Sequence, residues 1–164
     1  MELWVAKQCG YDNNKIIYNG PCKGEMLEEH LLNGGILNID NEEEAKRVVA
    51  FAQRYLDKTF KVNIRVTARI NIGFVSRFGI EAGSETMERV VALLKNQNNV
   101  NLVGLHMHVS RARYLSAWQE RIEQILEAAD RYIDGVPEFI DLGSGMFADM
   151  EGYLKGQFTI DVPS

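Results

Sequence analysis

Cysteine, proline and long hydrophobic runs are all scarce in this sequence. Its 164 residues include two cysteines and three prolines. Cys9 and Cys22 have neither the spacing of a metal site nor the density of a disulfide scaffold, so we expect two reduced thiols in a cytoplasmic protein. No apolar run approaches the ~20 residues that cross a bilayer, and the first residues lack the pattern of a secretory signal. We therefore expect no membrane partner.

Basic residues are outnumbered by acidic ones. The chain has 18 Lys and Arg against 23 Asp and Glu, which gives a formal net charge of -5. Because nucleic-acid binding needs clustered basic side chains to neutralise phosphates, we expect no nucleic-acid partner. The 46% hydrophobic content is ordinary for a globular protein. No low-complexity linker divides the chain, so residues 1–164 are predicted to form a single domain.

Five apolar segments rich in β-branched residues alternate with segments of helical periodicity. The predicted strands are residues 16–18, 36–39, 62–66, 102–109 and 139–142. The helical patterns cover residues 2–9, 24–32, 45–56, 87–94 and 115–129. Asn41, followed three residues later by Glu44, is predicted to form a capping pair at the start of the third helix, and Ser84 is predicted to cap the fourth. Strict alternation of strand and helix predicts an α/β fold with a parallel sheet and helices outside it.

The number of strands leaves two architectures open. A closed eight-stranded barrel needs ~250 residues, so five βα units are too few to form one. The chain is either a small open sheet or part of a barrel whose first and last strands are missing. The pattern begins inside a helix and stops without a terminal element, so we expect an incomplete chain.

Two of the predicted strands end in residues suited to ligand binding. In a parallel α/β fold, ligands bind at the carboxyl ends of the strands. His106 and His108 lie two residues apart on one strand, so their side chains share one face. Three interpretations of the pair remain: structural hydrogen bonding, the start of a divalent-metal site, or an imidazole stacked on a cofactor ring. A metal would need further ligands, and the one other histidine, His30, lies in a predicted helix.

The turn after the last predicted strand favours the cofactor interpretation. Glycines at 143 and 145 remove the Cβ atoms, so the backbone can approach a phosphate with several N–H groups. The segment is not a dinucleotide fingerprint, because no third glycine follows at the required spacing. Arg65 and Arg77 are candidates for balancing anionic charge, since arginine suits planar anion recognition.

Six segments in this order carry a family resemblance. They are residues 16–23, 38–40, 64–66, 76–79, 104–109 and 141–145. Together they resemble the barrel of the fold-type III decarboxylases, the group of diaminopimelate, ornithine and biosynthetic arginine decarboxylases, which is related in fold to alanine racemase. The resemblance covers about residues 1–147. It implies a partial TIM-type barrel of about five parallel βα units that binds pyridoxal 5'-phosphate (PLP).

The resemblance also assigns residue roles. It places His108 on the stacking histidine of the family and residues 143–145 on its phosphate-binding glycines. Arg65 matches the strand arginine of the family, and Arg77 matches the cation of its Ser-Lys/Arg-Phe-Gly segment. Two departures are Ser110-Arg111, where the family has Gly-Ser, and a serine as the central residue of the turn. The expected cofactor-binding residues are therefore His108, Gly143, Ser144, Gly145, Arg65, Ser110 and Arg77.

Three family features have no counterpart in the sequence. They are the Schiff-base lysine on an early strand, the Glu-x-Gly-Arg segment that binds the pyridine nitrogen, and the second β domain. We therefore expect an isolated chain without turnover. Lys23 is an alternative Schiff-base residue, although its Pro-Cys-Lys context matches a different family segment.

The resemblance implies an amino-acid substrate and a homodimer for the intact enzyme. It does not choose the amino acid, because Pro-Cys-Lys is similar to the ornithine type and His-x-His to the diaminopimelate type. Two other hypotheses stay open. One is a metal-dependent barrel hydrolase that uses His106 and His108, and the other is a non-catalytic fragment that binds a decarboxylase homologue.

Overall fold

Five parallel strands form the framework of the protein. The structure, a computed structural model, describes residues 2–70, 74–109 and 115–143. Its strands are β1 (Ile17–Tyr18), β2 (Ile36–Ile39), β3 (Phe60–Arg65), β4 (Arg69–Ile70), β5 (Phe74–Val75), β6 (Val100–His106) and β7 (Phe139–Asp141). The main sheet has the order β1-β2-β3-β6-β7, and every pair in it is parallel.

The strand order decides between the two architectures that the sequence left open. In a doubly wound sheet the order reverses at a switch point, whereas in a (β/α) barrel it follows the chain. Here each strand of the main sheet lies beside the one that precedes it in the chain, apart from the small β4–β5 hairpin. The five parallel strands form a half-barrel, and the predicted α/β, partial TIM-type fold is confirmed.

The helices occupy the predicted segments, with shifted ends. They are α1 (Glu2–Gln8), α2 (Met26–Leu32), α3 (Glu42–Ala52), α4 (Glu85–Lys95) and α5 (Leu115–Tyr132). The two predicted caps are confirmed, because Asn41 Oδ1 accepts from Glu44 N at 2.9 Å and Ser84 Oγ accepts from Met87 N at 3.1 Å. No helix in the described ranges is long and apolar enough to cross a membrane.

The predicted extension of α3 to Leu56 is wrong. The helix ends at Ala52, and Leu56 is exposed. The cause is Asn99, whose buried Nδ2 donates to the carbonyl oxygens of Ala52, Tyr55 and Lys58 at 2.9–3.0 Å. The carbonyls of Ala52 and Tyr55 also accept from the backbone N–H groups of Tyr55 and Lys58, so the distant amide joins successive turns of the chain where periodicity alone predicts more helix.

The two faces of the sheet differ in polarity. Side chains alternate along a strand, so Leu37, Ile39, Val62 and Ile64 all point outward into the hydrophobic core beneath the helices. The residues between them are polar and form the inner face of the half-barrel. They are Asn38, Asp40, Asn63 and Arg65, all of them buried. The fold therefore presents polar groups to the side where a barrel holds its ligand.

A short antiparallel hairpin follows β3 and was not predicted. Arg69 pairs with Val75 and Ile70 with Phe74. Strands of two residues are too short to show the alternation on which strand prediction depends. The hairpin leads the chain into residues 76–79, a loop that returns to the end of β3 through a hydrogen bond from Ile80 N to Arg65 O at 2.8 Å.

Candidate active site

Neighbouring strands place their terminal polar residues in one row. The register pairs Arg65 of β3 with His106 of β6, and His106 with Asp141 of β7. Parallel strands end at the same edge of a sheet, so this row lies at the edge where ligands bind in such folds. Two residues before Arg65, Asn63 pairs with Asn38 of β2. The amide groups of both side chains are buried without hydrogen-bond partners.

His108 and Gly143 lie directly against each other. A Cβ atom built at Gly143 would be 2.5 Å from Nδ1 of His108, well inside van der Waals contact. Gly143 has a φ of 67°, a conformation that a glycine adopts at no steric cost. Its N–H donates to Oδ1 of Asp141 at 2.8 Å, which fixes the start of the turn after β7. The structure thus brings together two residues that the sequence assigned to one cofactor site.

His106 is held in its neutral form. Burial lowers its pKa to about 4, and the nearby charge of Asp141 opposes that shift without cancelling it. Its Nε2 is 3.9 Å from Asp141 Oδ2 and 3.5 Å from Asn19 Nδ2, while Nδ1 has no partner. With a neutral ring, the contact with Asp141 is not an ion pair. The rings of His106 and His108 are nearly parallel, with centroids 6.3 Å apart.

The lowered pKa of His106 makes stability depend on pH. The His106 ring takes up a proton near pH 6.5 in the unfolded chain, but only near pH 4 in the folded protein. The contribution of the neutral ring is therefore complete above pH 6.5 and is lost as the pH falls towards 4. We expect His106→Gln to flatten the dependence of unfolding free energy on pH in this interval. Urea unfolding of both proteins between pH 7.5 and 4 measures the difference.

Titrating groups that do not interact with His106 contribute equally to both proteins in that experiment. His30, whose pKa burial also lowers, gives a similar slope in each and cancels in the difference. An identical pH dependence for the two proteins would contradict the assignment of a buried neutral ring to His106.

Arg65 and Arg77 have different surroundings. Arg65 is buried, with Nη1 3.5 Å from Oδ2 of Asp40 and its guanidinium 4.9 Å from the centroid of the Phe78 ring. Gly79 N donates to the other oxygen of Asp40 at 2.5 Å, so the same carboxylate ties the 76–79 loop to the strand ends. Arg77 is exposed on that loop, 5.4 Å from the Phe78 ring.

Lys23 is buried close to these residues. Its Nζ donates to Oε2 of Glu44 at 2.8 Å and to the carbonyl O of Gly20 at 2.6 Å. Burial lowers the pKa of Lys23, although the hydrogen bond and charge of Glu44 act in the opposite direction. To act as the Schiff-base residue, Lys23 would have to give up these two hydrogen bonds, which argues against that alternative.

Sequence reasoning missed part of this arrangement. Glu44 was expected only to pair with Asn41 at the start of α3. Asn19 and Asp40 were part of the segments that carry the family resemblance, but no role was predicted for them. A usable signal was the alternation of Asn38 and Asp40, which places polar side chains on one face of β2 and its continuation. Three of the expected cofactor-binding residues lie outside the described residues: Ser110, Ser144 and Gly145.

The metal interpretation finds no complete ligand cluster among the described residues. Within residues 2–70, 74–109 and 115–143, no group of three or more His, Cys, Asp or Glu side chains is arranged to hold a metal ion. His106 and His108 have ring centroids 6.3 Å apart, and Asp141 adds one carboxylate on the side of His106.

The strand order and the polar strand ends define a domain of the partial (β/α)-barrel class. Within that class, the chain belongs to the pyridoxal-dependent decarboxylases, because residues 1–155 match the family described as "Pyridoxal-dependent decarboxylase, pyridoxal binding domain". The predicted family is confirmed, and so is PLP as its cofactor.

Curated relatives are diaminopimelate decarboxylases. The protein from Methanocaldococcus jannaschii is 25% identical in an alignment 158 positions long, which covers 88% of this chain and 36% of the relative. The protein from Actinosynnema pretiosum subsp. auranticum is 27% identical in an alignment 173 positions long, which covers 98% of this chain and 38% of the relative. The chain therefore spans less than two fifths of the length of these relatives.

Solved structures share the fold. The diaminopimelate decarboxylase of M. jannaschii has a TM-score of 0.63 at 23% identity and covers 77% of this chain and 32% of its own. Alanine racemase from Clostridium difficile 630 has a TM-score of 0.56 at 16% identity, over 77% of this chain and 34% of its own. At these identities the likeness shows a common barrel architecture and no more.

Proposed function

We propose that this chain holds the ring and phosphate of PLP in an amino-acid decarboxylase of the diaminopimelate type. The observation that carries the proposal is the contact between His108 and Gly143 at the ends of two neighbouring strands. An aromatic ring beside a turn that lacks a Cβ atom offers a stacking surface next to an approachable backbone. A phosphorylated aromatic ring needs both.

The surrounding groups fit such a ligand. Arg65 keeps a buried Nε–H without a partner, and its guanidinium supplies positive charge beside the strand ends. His106 has an unpartnered Nδ1 and a neutral ring, so it adds no competing charge. Unpaired buried polar groups are costly, and an oxygen-rich anion is a suitable partner for a donor of this kind.

The roles divide among the residues of the site. His108 stacks on the cofactor ring and orients it. Gly143 lets the turn come close, but its own N–H is bound to Asp141, so Ser144 and Gly145 are proposed to donate to the phosphate. Arg65, Arg77 and Ser110 are proposed to complete the charge and hydrogen bonding of the site. Bound PLP supplies an electron sink for the carbanion that remains when carbon dioxide leaves.

These 164 residues alone are proposed to bind PLP without decarboxylating an amino acid. The sequence contains no early-strand lysine motif to hold the cofactor covalently and no Glu-x-Gly-Arg segment to keep the pyridine nitrogen protonated. Incubation with PLP and borohydride, followed by peptide mass spectrometry and an assay for released carbon dioxide, tests the proposal. A reduced lysine adduct together with decarboxylation would overturn the proposed lack of turnover.

Substrate, assembly and location are proposed from the relatives and from the chain itself. Diaminopimelate is the proposed substrate of the intact enzyme, because the curated relatives at 25–27% identity carry that activity in their names. A homodimer is proposed from the family resemblance. A cytoplasmic location is supported by Cys9 and Cys22, which are exposed and unpaired, as thiols are in a reducing compartment.

Replacement of His108 tests the stacking role. We expect His108→Ala to weaken PLP binding about 10-fold, because an aromatic contact is worth ~0.5–1.5 kcal/mol beyond its buried area. His108→Phe keeps a flat ring and is the matched control, expected to retain most of the affinity. Equilibrium titration followed by the absorbance of PLP measures both. Equal affinity for wild type and His108→Ala would contradict the role of this ring.

A further inference from the structure

Four charged side chains lie buried together where β2 and β3 end. They are Lys23, Asp40, Glu44 and Arg65, called here the buried charge cluster. Lys23 Nζ is 2.8 Å from Glu44 Oε2, and Arg65 Nη1 is 3.5 Å from Asp40 Oδ2. Backbone Asp40 N joins the two pairs by donating to Glu44 Oε2 at 2.9 Å. Two positive and two negative charges thus compensate one another inside the protein.

One arm of the cluster reaches the loop after β1. Lys23 Nζ donates to the carbonyl O of Gly20 at 2.6 Å, and Gly20 N donates to Asn19 Oδ1 at 2.9 Å. Asn19 in turn places its Nδ2 3.5 Å from Nε2 of His106. The lysine is therefore connected, through one short loop, to a histidine on the inner face of the half-barrel.

The other arm reaches the 76–79 loop. Glu44 Oε2 accepts from the backbone N–H of Asp40, and the Asp40 carboxylate accepts from Gly79 N at 2.5 Å. Asp40 also faces Arg65, the buried arginine of the proposed cofactor site. Both loops that border the strand ends are thus attached to the Lys23–Glu44 pair.

Stability alone is a weak explanation for such a pair. The loss of hydration offsets the attraction between buried charges, and an apolar pair of similar volume often stabilises a fold as well. A buried pair is better suited to fixing one geometry, because each charge requires its partner at a given place. The side chain of Lys23 has no exposed surface, and Glu44 and Gly20 accept two of its three ammonium protons.

We propose that Lys23 is a positioning residue of the cofactor site, which holds the loop after β1 and the 76–79 loop in place through Gly20 and Glu44. The inference rests on the proposed function for the identity of the ligand, whereas the positioning of the two loops is a property of the chain without ligand. Without the ammonium group, Gly20 and Glu44 lose the donor that holds them, and the contacts of Asp40 with Arg65 and of Asn19 with His106 lose that support.

Three variants of the full chain test this role. Lys23→Met removes the charge and its donors, and Lys23→Arg is the conservative variant that keeps both. Lys46→Met is the matched control, because Lys46 also pairs with glutamates, at 2.8 and 3.2 Å, but is half-exposed on the outside of α3. Hydrogen–deuterium exchange without ligand measures loop positioning, and equilibrium titration with PLP measures affinity.

We expect Lys23→Met to speed exchange in residues 19–20 and 76–79 and to weaken PLP binding about 10-fold, as loss of a supporting contact typically does. Lys23→Arg should restore both, and Lys46→Met should change neither. Unchanged exchange in both loops would overturn the proposal. A second result would also overturn it: borohydride traps a PLP adduct on Lys23 in wild type, and the adduct is absent from Lys23→Met. Lys23 would then be the covalent residue.

The experiment stays decisive if Lys23→Met fails to fold or if wild type binds no PLP. If Lys23→Met does not fold, the double variant Lys23→Met/Glu44→Met removes the unpaired buried carboxylate and takes its place in both measurements. If wild type binds no PLP, the proposed function fails, while the exchange experiment still decides whether Lys23 positions the loops. If PLP binds but exchange is unaffected by Lys23→Met, the positioning role alone fails.

Discussion

Replacing Gly143 with alanine is expected to lower the affinity for PLP about 100-fold, the size of effect that a displacement of about 1 Å produces in a preorganised site. The new Cβ atom would lie 2.5 Å from Nδ1 of His108 and 3.1 Å from its Cα atom. His108 lies two residues beyond the end of β6, and both its ring and its Cα atom crowd the new Cβ, so the ring or the turn after β7 must move away. That movement separates the stacking ring from the backbone proposed to hold the phosphate.

Gly135 provides a matched control for the backbone strain. Its φ of 81° is as unfavourable for alanine as the φ of 67° at Gly143, but no atom lies within 4 Å of a Cβ built there. Gly135→Ala should therefore cost stability, by ~1–2 kcal/mol, without weakening PLP binding. Titration of both variants separates strain from contact. Similar affinities for the two variants would show that the His108–Gly143 contact has no part in binding.

Gly104→Ala is expected to destabilise the fold by about 3 kcal/mol or more, at the upper end of the range for overpacking. A Cβ atom at this position would lie near the carbonyl O of Phe139, a backbone atom of the neighbouring strand, well inside contact distance. Gly104 pairs with Phe139 in the register of β6 and β7. Since β7 has only three residues, it has few other contacts to hold it against this displacement.

Urea unfolding of Gly104→Ala measures the loss, and Gly24→Ala is the control. Gly24 has no atom within 4 Å of a built Cβ and no positive φ, so its replacement should leave the unfolding free energy nearly unchanged. Wild-type stability of Gly104→Ala would mean that β6 and β7 do not approach as closely as described. We also expect Gly104→Ala to lose PLP affinity, because Asp141 at the end of β7 and Gly143 just after it move with the displaced strand.

The elements that repeat a simple pattern were predictable. Strand β2 and helix α4 follow from β-branched runs and helical spacing, and the order of the units implies a parallel sheet. The end of α3 was not predictable, because Asn99 acts on it from 41–47 residues further along the chain. The β4–β5 hairpin left too short a pattern to detect.

The proposed site was predictable to a similar extent. His108 and Gly143 were assigned to one site because neighbouring parallel strands end at the same edge, and the structure places them in contact. The Lys23–Glu44 pair was not foreseen, since its partners are 21 residues apart and a buried ion pair has no sequence periodicity. Glu44 also satisfied a helix-capping pattern, which concealed its second role.

The agreement between strand order and chain order has a consequence for how the protein is made. Each strand of the main sheet pairs with a neighbour already present earlier in the chain, so the sheet can grow one βα unit at a time during synthesis on the ribosome. Such step-by-step assembly avoids waiting for distant partners. Gly143 follows β7, so its contact with His108 can form only after the four preceding strands of the described sheet have been made. A newly made chain would therefore acquire the His108–Gly143 part of its proposed cofactor site later than strands β1, β2, β3 and β6.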